Sequence, residues 1–313
     1  MLEPLLSFGF WAFMLTFAGI FAIFTMGLQL EVGDTGLINF GHIAFMAIGA
    51  YSMGILVTEG VPILLAIPTA IILSAIAGVA LGIPTLRLRA DYFAITAIAA
   101  GEIVRITILN AQETTGGPQG LRAASGPWRD FNLDVLSFFS DLGISLDRRV
   151  PLLLIVWICV GLVAALLAYL GTTPWRRVLR AVRESEEAAA SLGKPVLRYK
   201  LQSLALGSAI AGLAGVLFTL FSTTLFPENF EPIFTFMAFA MLILGGFGSY
   251  IGVILGALVI SLLEAGTRFL DFPVDSEQVA ALRFMTIGLI IMLLMAFRPQ
   301  GLLGNRDEMH LDA

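Results

Sequence analysis

No lysine or arginine occurs before Arg87, so the chain runs 86 residues without a cation. A surface facing water is not built that way, whereas one facing lipid is, because charge in hydrocarbon is costly. The whole chain follows suit: of 313 residues, 58% are hydrophobic and only 13% charged, against roughly a quarter charged in soluble domains. The formal net charge of −5 gives nucleic acid nothing to bind. Cys159 is the sole cysteine, so no intrachain disulfide can form. The first residues lack a basic n-region, so a cleaved signal peptide is not expected and the first apolar stretch is expected to remain as a span.

A helix needs about 20 apolar residues to cross the hydrocarbon. Nine stretches qualify: roughly 8–30, 37–57, 62–83, 91–110, 150–170, 200–222, 232–247, 250–268 and 279–297. The second is interrupted by Asn39 and His42, and the seventh and eighth are separated only by the Gly-rich run 244–248. Either place suits a broken or re-entrant helix, which widens the count to eight to ten. Two connections are large, 111–149 and 171–199; the rest are short turns. The expected fold is therefore all-α, a single transmembrane helix bundle over 1–313.

Orientation follows from the excess of Lys and Arg in cytoplasmic loops. With sides numbered alternately, one side receives Arg87, Arg89, Arg176, Arg177, Arg180, Arg183, Lys194, Arg198, Lys200, Arg298 and Arg306, eleven in all. The other receives five: Arg122, Arg129, Arg148, Arg149 and Arg268. Arg105 and Arg283 lie within spans, which completes the total of 18. The N-terminus is then expected outside and the C-terminus in the cytoplasm, with 111–149 external and 171–199 cytoplasmic. Small residues recur every four positions at Ser74, Gly78 and Gly82, at Gly207, Ala211 and Gly215, and at Gly248, Gly252 and Gly256. Such stripes mark close approach of two helix backbones.

Chemistry has few candidates. The two histidines are His42 and His310, and no HExxH, GxSxG or CxxC occurs. An intramembrane hydrolase is poorly supported. A phosphate-cradling loop requires G-x-x-x-x-G-K-[ST]; of the two lysines, Lys194 follows Gly193 but precedes Pro195, and Lys200 has no such context. If ATP drives this protein, another subunit binds it. Within spans, Glu102 and Arg105 stand three apart on one helix and can pair. That pair serves either as a self-satisfied packing element or as the polar lining of a pathway. Asn39 and His42 face the same choice between structural hydrogen bonds and ligand contact.

The connection 171–199 is the most informative segment. Pro174 suits the first turn of a helix and Gly193 its C-terminal cap. Val178, Leu179, Val182 and Ala189 fall near one face, with Arg176, Arg180, Arg183, Glu184 and Glu187 mostly on others. Arg183 and Glu187 are spaced for an i, i+4 pair. A basic amphipathic helix of this kind suits either anionic lipid headgroups or a docked partner.

Glu187-Ala188-Ala189, followed after three residues by Gly193, resembles the EAA-x3-G loop by which permeases of ATP-binding-cassette importers dock their ATPases. Residues 36–51, Gly-Leu-Ile-Asn-Phe-Gly-His-Ile-Ala-Phe-Met-Ala-Ile-Gly-Ala-Tyr, resemble a segment shared by branched-chain amino acid permeases. Residues 86–95, 101–105 and 115–121 are similar to the LivM-type subunit in particular, and 297–304 resemble its C-terminal signature. Ala90 stands where the family often has Gly. Urea permeases share the first and last of these segments; the middle ones favour the amino-acid branch. The resemblance implies a bacterial inner-membrane machine. In it, this chain and a LivH-like permease form the pore, and two cytosolic ATPases bind ATP and Mg. An extracytoplasmic binding protein selects the ligand, and membrane lipid surrounds the whole. It further implies ATPase coupling through Arg183, Glu187, Ala188, Ala189 and Gly193, and no cofactor on this chain. A secondary transporter or channel is the competing class, but no internal repeat and few intramembrane acids are seen in the sequence.

Overall fold

The computed structural model describes residues 7–122, 125–141, 143, 145–269, 282, 285, 286, 288, 289, 292, 293 and 301–303. Its helices in chain order are α1 (Phe8–Gln29), α2 (Ile43–Thr58), α3 (Ile63–Thr85), α4 (Ala90–Asn110), α5 (Gln112–Thr115), α6 (Ser125–Asp141), α7 (Val150–Thr172), α8 (Pro174–Glu184), α9 (Glu186–Ser191), α10 (Val196–Phe221), α11 (Ile233–Gly245) and α12 (Tyr250–Phe269). No strand occurs among the described residues; the one β-bridge is isolated, Leu121 to Leu225.

Among the described residues, five helices are long and apolar enough to cross a membrane: Phe8–Asp34, Ile63–Thr85, Asp91–Asn110, Val150–Thr172 and Val196–Phe221. The pair Ile233–Gly245 and Tyr250–Gly266 passes only as a unit bent by 120°, giving up to six. The break foreseen at the Gly-rich run is therefore present. The break foreseen at Asn39 and His42 is present too: 35–42 is not helical, and α2 begins only at Ile43. With 16 and 13 residues, α2 and α11 reach about 24 Å and about 20 Å, short of the roughly 30 Å of hydrocarbon. The same succession thus occurs twice: a long helix, a break in the α-helical run and a short helix (α1, 35–42, α2; α10, 222–232 with a 3-10 turn at Pro227–Phe230, α11). The ninth expected span, 279–297, and His310 lie largely or wholly outside the described residues.

The first helix and α10 are the axis of the bundle. Their apolar windows are 78% and 72% buried, against 22% for α3, 28% for α4 and 33% for α7. Small residues explain how two helices carrying so many large side chains approach. A Cβ on Gly27 would lie 2.8 Å from the Gly207 carbonyl oxygen, and one on Gly215 only 2.1 Å from that of Met46 on α2. The Ser74, Gly78, Gly82 stripe faces α10, with Ser74 against Gly212 and Gly78 against Ser208. The third stripe needs correction. Gly248 sits in the turn at φ +84, and it is Gly245 that packs on Gly252.

The non-helical stretch before α2 crosses α4 closely, since a Cβ on Gly41 would fall 2.0 Å from the Ala97 carbonyl oxygen. At its end Thr235 of α11 accepts a hydrogen bond from the Ile43 amide at 3.1 Å. The two short helices therefore start from a shared point. Residues 301–303 close the other end of α11: Leu302 and Leu303 donate to the Leu244 and Gly245 carbonyls at 2.9 and 3.1 Å. These are carbonyls that a helix C-terminus leaves unpaired.

Candidate functional site

The connection 171–199 folds as two helices rather than one. Pro174 takes the first position of α8 as expected, but Ser185 turns extended (φ −156, ψ 109) and breaks the run. Its hydroxyl then caps α9, accepting from the Ala188 amide at 3.2 Å. Gly193 ends α9 at φ +75, where Lys194 donates to the Ala189 carbonyl at 3.1 Å. A left-handed residue at that place is the common helix stop.

Two apolar residues of α8 are buried within the protein, Leu179 at 0% and Val182 at 1% exposure, with Trp175 and Val178 part-buried beside them. Arg176, Arg180 and Arg183 share that inward direction, contrary to the expectation that they lie mostly on other faces, while Arg177 is exposed. Arg176 Nε donates to Asp34 Oδ1 at 2.9 Å, and Arg180 Nε stands 3.6 Å from the same oxygen. Arg183 Nη1 donates to the Gly33 carbonyl. The anticipated Arg183–Glu187 pair is replaced by this contact, because the break at Ser185 separates the two residues into different helices. On α9, Ala189 is buried at 3% exposure, while Glu187, Ala188, Leu192 and Gly193 are exposed. Glu186 receives Lys200, at the base of α10. The pair of helices is thus held from beneath by arginines and a lysine and presents Glu187, Ala188 and Leu192 outward.

What holds the arginines was missed in the sequence. A π-helical turn, Leu30–Asp34, continues α1 and carries two carboxylates with no exposed surface, Glu31 and Asp34. Asp34 Oδ2 also accepts from the Tyr250 hydroxyl at 2.7 Å, and Arg176 lies over the Tyr250 ring at 5.2 Å. Glu31 serves the other side. Its Oε2 accepts from Asn39 Nδ2 at 2.8 Å and lies 3.2 Å from His42 Nδ1. Asn39 in turn accepts from the Gly41 amide at 3.0 Å. His42 rests 4.9 Å from the Phe24 ring, centre to centre. Gly207 makes room for Glu31, since a Cβ there would lie 2.3 Å from Oε1. Asn39 and His42 are therefore fully enclosed within this chain, tying the non-helical stretch to α1. The only sequence signal for Glu31 and Asp34 was two acids ending a long apolar run with no cation nearby.

Glu102 and Arg105 pair as their spacing foretold, with contacts of 2.9, 3.1 and 2.5 Å. The pair is not enclosed. Arg105 and Glu102 keep 20% and 35% of their side-chain surface exposed, beside exposed Ile103 and Ile106 on α4. Outside α4, Thr115 donates to the Ile108 carbonyl at 2.6 Å, and Leu121 bridges Leu225, so the segment 115–121 fastens the end of α4 to the α10–α11 connection. Residues 36–51 and 101–105 also meet, with Gly101 against Gly41. Among the described residues no group of three or more His, Cys, Asp or Glu side chains is placed to hold a metal ion.

Long apolar helices packed on an apolar core that encloses a few polar side chains, with a charged helix pair beside them, define a polytopic helical membrane protein. A family model described as the permease component of the branched-chain amino acid transport system matches residues 10–295, and the chain belongs to that family. The high-affinity branched-chain amino acid transport permease LivM of Escherichia coli (strain K12) is 35% identical over 304 residues, covering 92% of this chain and 68% of that protein. The probable LivM of Methanocaldococcus jannaschii is 27% identical over 328 residues, covering 92% and 91%. The LivH permease of Escherichia coli (strain K12) is 24% identical over 310 residues, covering 93% and 94%. Within the family the chain is of the LivM type. No solved structure matches it.

Proposed function

We propose that this chain is the membrane-spanning permease subunit of an ATP-driven importer that carries branched-chain or other neutral amino acids into the bacterial cytoplasm. ATP and Mg bind to separate subunits. Family membership over residues 10–295 carries the reading. The chain assembles with a second, LivH-like permease, two cytosolic ATPases and an extracytoplasmic binding protein in the inner membrane. Its N-terminus is outside, its C-terminus cytoplasmic, and about nine membrane-embedded helical segments are arranged as the cation count of eleven against five requires.

The helices α8 and α9 receive the ATPase. Burial of Leu179 and Val182 against the bundle supports docking over adsorption to lipid, because the apolar face is already used. Glu187, Ala188 and Gly193 are presented outward for that contact, and Ala189 and Arg183 seat it. The pair Glu102–Arg105 lines the translocation pathway shared with the second permease. A partly exposed ion pair between exposed Ile103 and Ile106 is costly against hydrocarbon. The test is uptake of labelled leucine in cells lacking other importers and supplied with this chain and its partner subunits. Energy-dependent uptake competed by isoleucine and valine is expected; its absence would contradict the reading.

A further inference from the structure

We propose that the π-helical turn Leu30–Asp34 transmits the motion of the docking helices to the buried break before α2, with Asp34 as its input and Glu31 as its output. The inference rests on the importer reading and deepens it. At the input, Arg176, Arg180 and Arg183, spaced four and three apart along one face of α8, all reach the strip Gly33–Asp34. Both oxygens of Asp34 are used, by Arg176 and by Tyr250. Gly36 lies against the same helix, a Cβ there standing 3.0 Å from Arg183 Cγ. The carboxylate has no exposed surface, so separating it from its arginines leaves buried charge unpaired. A displacement of α8 therefore moves Asp34 with it.

Three residues earlier in the same turn, Glu31 holds Asn39 and His42. His42 immediately precedes α2, and the Ile43 amide is bound by Thr235 of α11. A shift of the turn thus reaches the starts of both short helices. A π-turn is a rare, locally widened turn of helix, frequently found at functional sites. Here the Thr35 hydroxyl occupies its side, donating to the Leu30 carbonyl at 3.1 Å and lying 2.6 Å from the Ser203 hydroxyl of α10. The turn is fixed to α8 by ion pairs, whereas to the axis helix α10 it is joined by neutral hydroxyl contacts of Ser203, with Thr35 and with the Leu30 carbonyl at 3.3 Å, which are weaker and easier to exchange. Motion relative to α10 is the mode this arrangement permits.

The test uses the complete complex with both permeases, both ATPases and the binding protein, in membrane vesicles, with leucine as the ligand. With D34N, uptake per ATP hydrolysed is expected to fall roughly tenfold, a loss of the size that coupling residues carry. The ATPases are expected to stay bound and hydrolysing, and D34E to recover part of the loss. Wild-type uptake per ATP in D34N, or loss of the ATPases in step with uptake, would overturn the proposal. A second arm is independent of that variant: T35C with S203C, in a C159A background, compared before and after oxidation. Cross-linking the turn to α10 is expected to stop uptake with ATPases bound, and reduction to restore it; equal uptake in the cross-linked form would overturn the proposal. A wild-type complex without ATP-dependent leucine uptake would instead indict the importer reading itself.

Discussion

At the scale of single residues, charges in this chain fall into three environments with three consequences. Asp34 and Glu31 are enclosed, so their partners fix local geometry. Glu102 and Arg105 are half exposed, so truncating one leaves a charge that solvent or a partner can still reach. Glu102→Gln and Arg105→Gln are therefore expected to insert and assemble normally while leucine uptake changes several-fold in KM or rate, about 1 kcal/mol of coupling. Uptake kinetics beside co-purification of the second permease checks this; failed assembly rescued by the double variant would mean the pair is a packing element. Glu187 is exposed on α9. Glu187→Arg is expected to weaken ATPase docking and uptake while leaving insertion intact, read by ATPase co-purification. These residues also mark what was legible. Glu102–Arg105 pairing is local and was read from its spacing. The roles of Glu31 and Asp34 were not, because Asp34 meets residues 142 and 216 positions away. Nothing in the run Leu30–Asp34 distinguishes a buried anchor from an ordinary span end.

Among the elements, the long apolar helices α3, α4, α7 and α10 were legible to within a few residues, because membrane thickness fixes their length and composition. The short helix α11 was legible to within a few residues, expected at 232–247 and found at Ile233–Gly245; the start of α2 was legible only as a break, since it is set by Thr235 and Asn39 contacts rather than by an adjacent cap. The helix pair α8–α9 was legible at Pro174 and Gly193 but not at Ser185, whose turn lets α8 meet Asp34 and α9 meet Lys200. Gly193 has nothing within 4 Å of its missing Cβ, so Gly193→Val costs only the left-handed backbone, about 1–2 kcal/mol. Loss is expected to be confined to α9 and its ATPase contact, seen as reduced ATPase co-purification with unchanged permease yield. The small-residue stripes make a sharper contrast. Gly215→Leu drives a side chain into the Met46 carbonyl and is expected to abolish a stable bundle. Gly161→Leu on α7, with open space around it, is expected to be tolerated. Detergent-solubilised yield and melting temperature of the two variants separate these outcomes.

For the whole molecule, the lack of early cations and the apolar composition were enough to place the chain in a membrane, and the repeated succession of long helix, break and short helix became visible only in three dimensions. Sequence shows no internal repeat there because α2 and α11 share architecture rather than residues. Orientation is tested by cysteines placed at Ser185 and Ser140 in a Cys159→Ala background. An impermeant reagent applied to intact cells is expected to label position 140 and spare 185, and the reverse pattern would invert the topology.

On the proposed function, ATP hydrolysed by separate subunits drives amino acids through this chain. Accumulation of labelled leucine in sealed vesicles containing the purified complex, with ATP supplied on the ATPase side, tests this. Accumulation against the leucine gradient is expected to require ATP, the binding protein and this chain together, and to vanish when the ATPases carry an inactivating substitution. Equal accumulation without ATP, or accumulation driven by an imposed ion gradient alone, would contradict it.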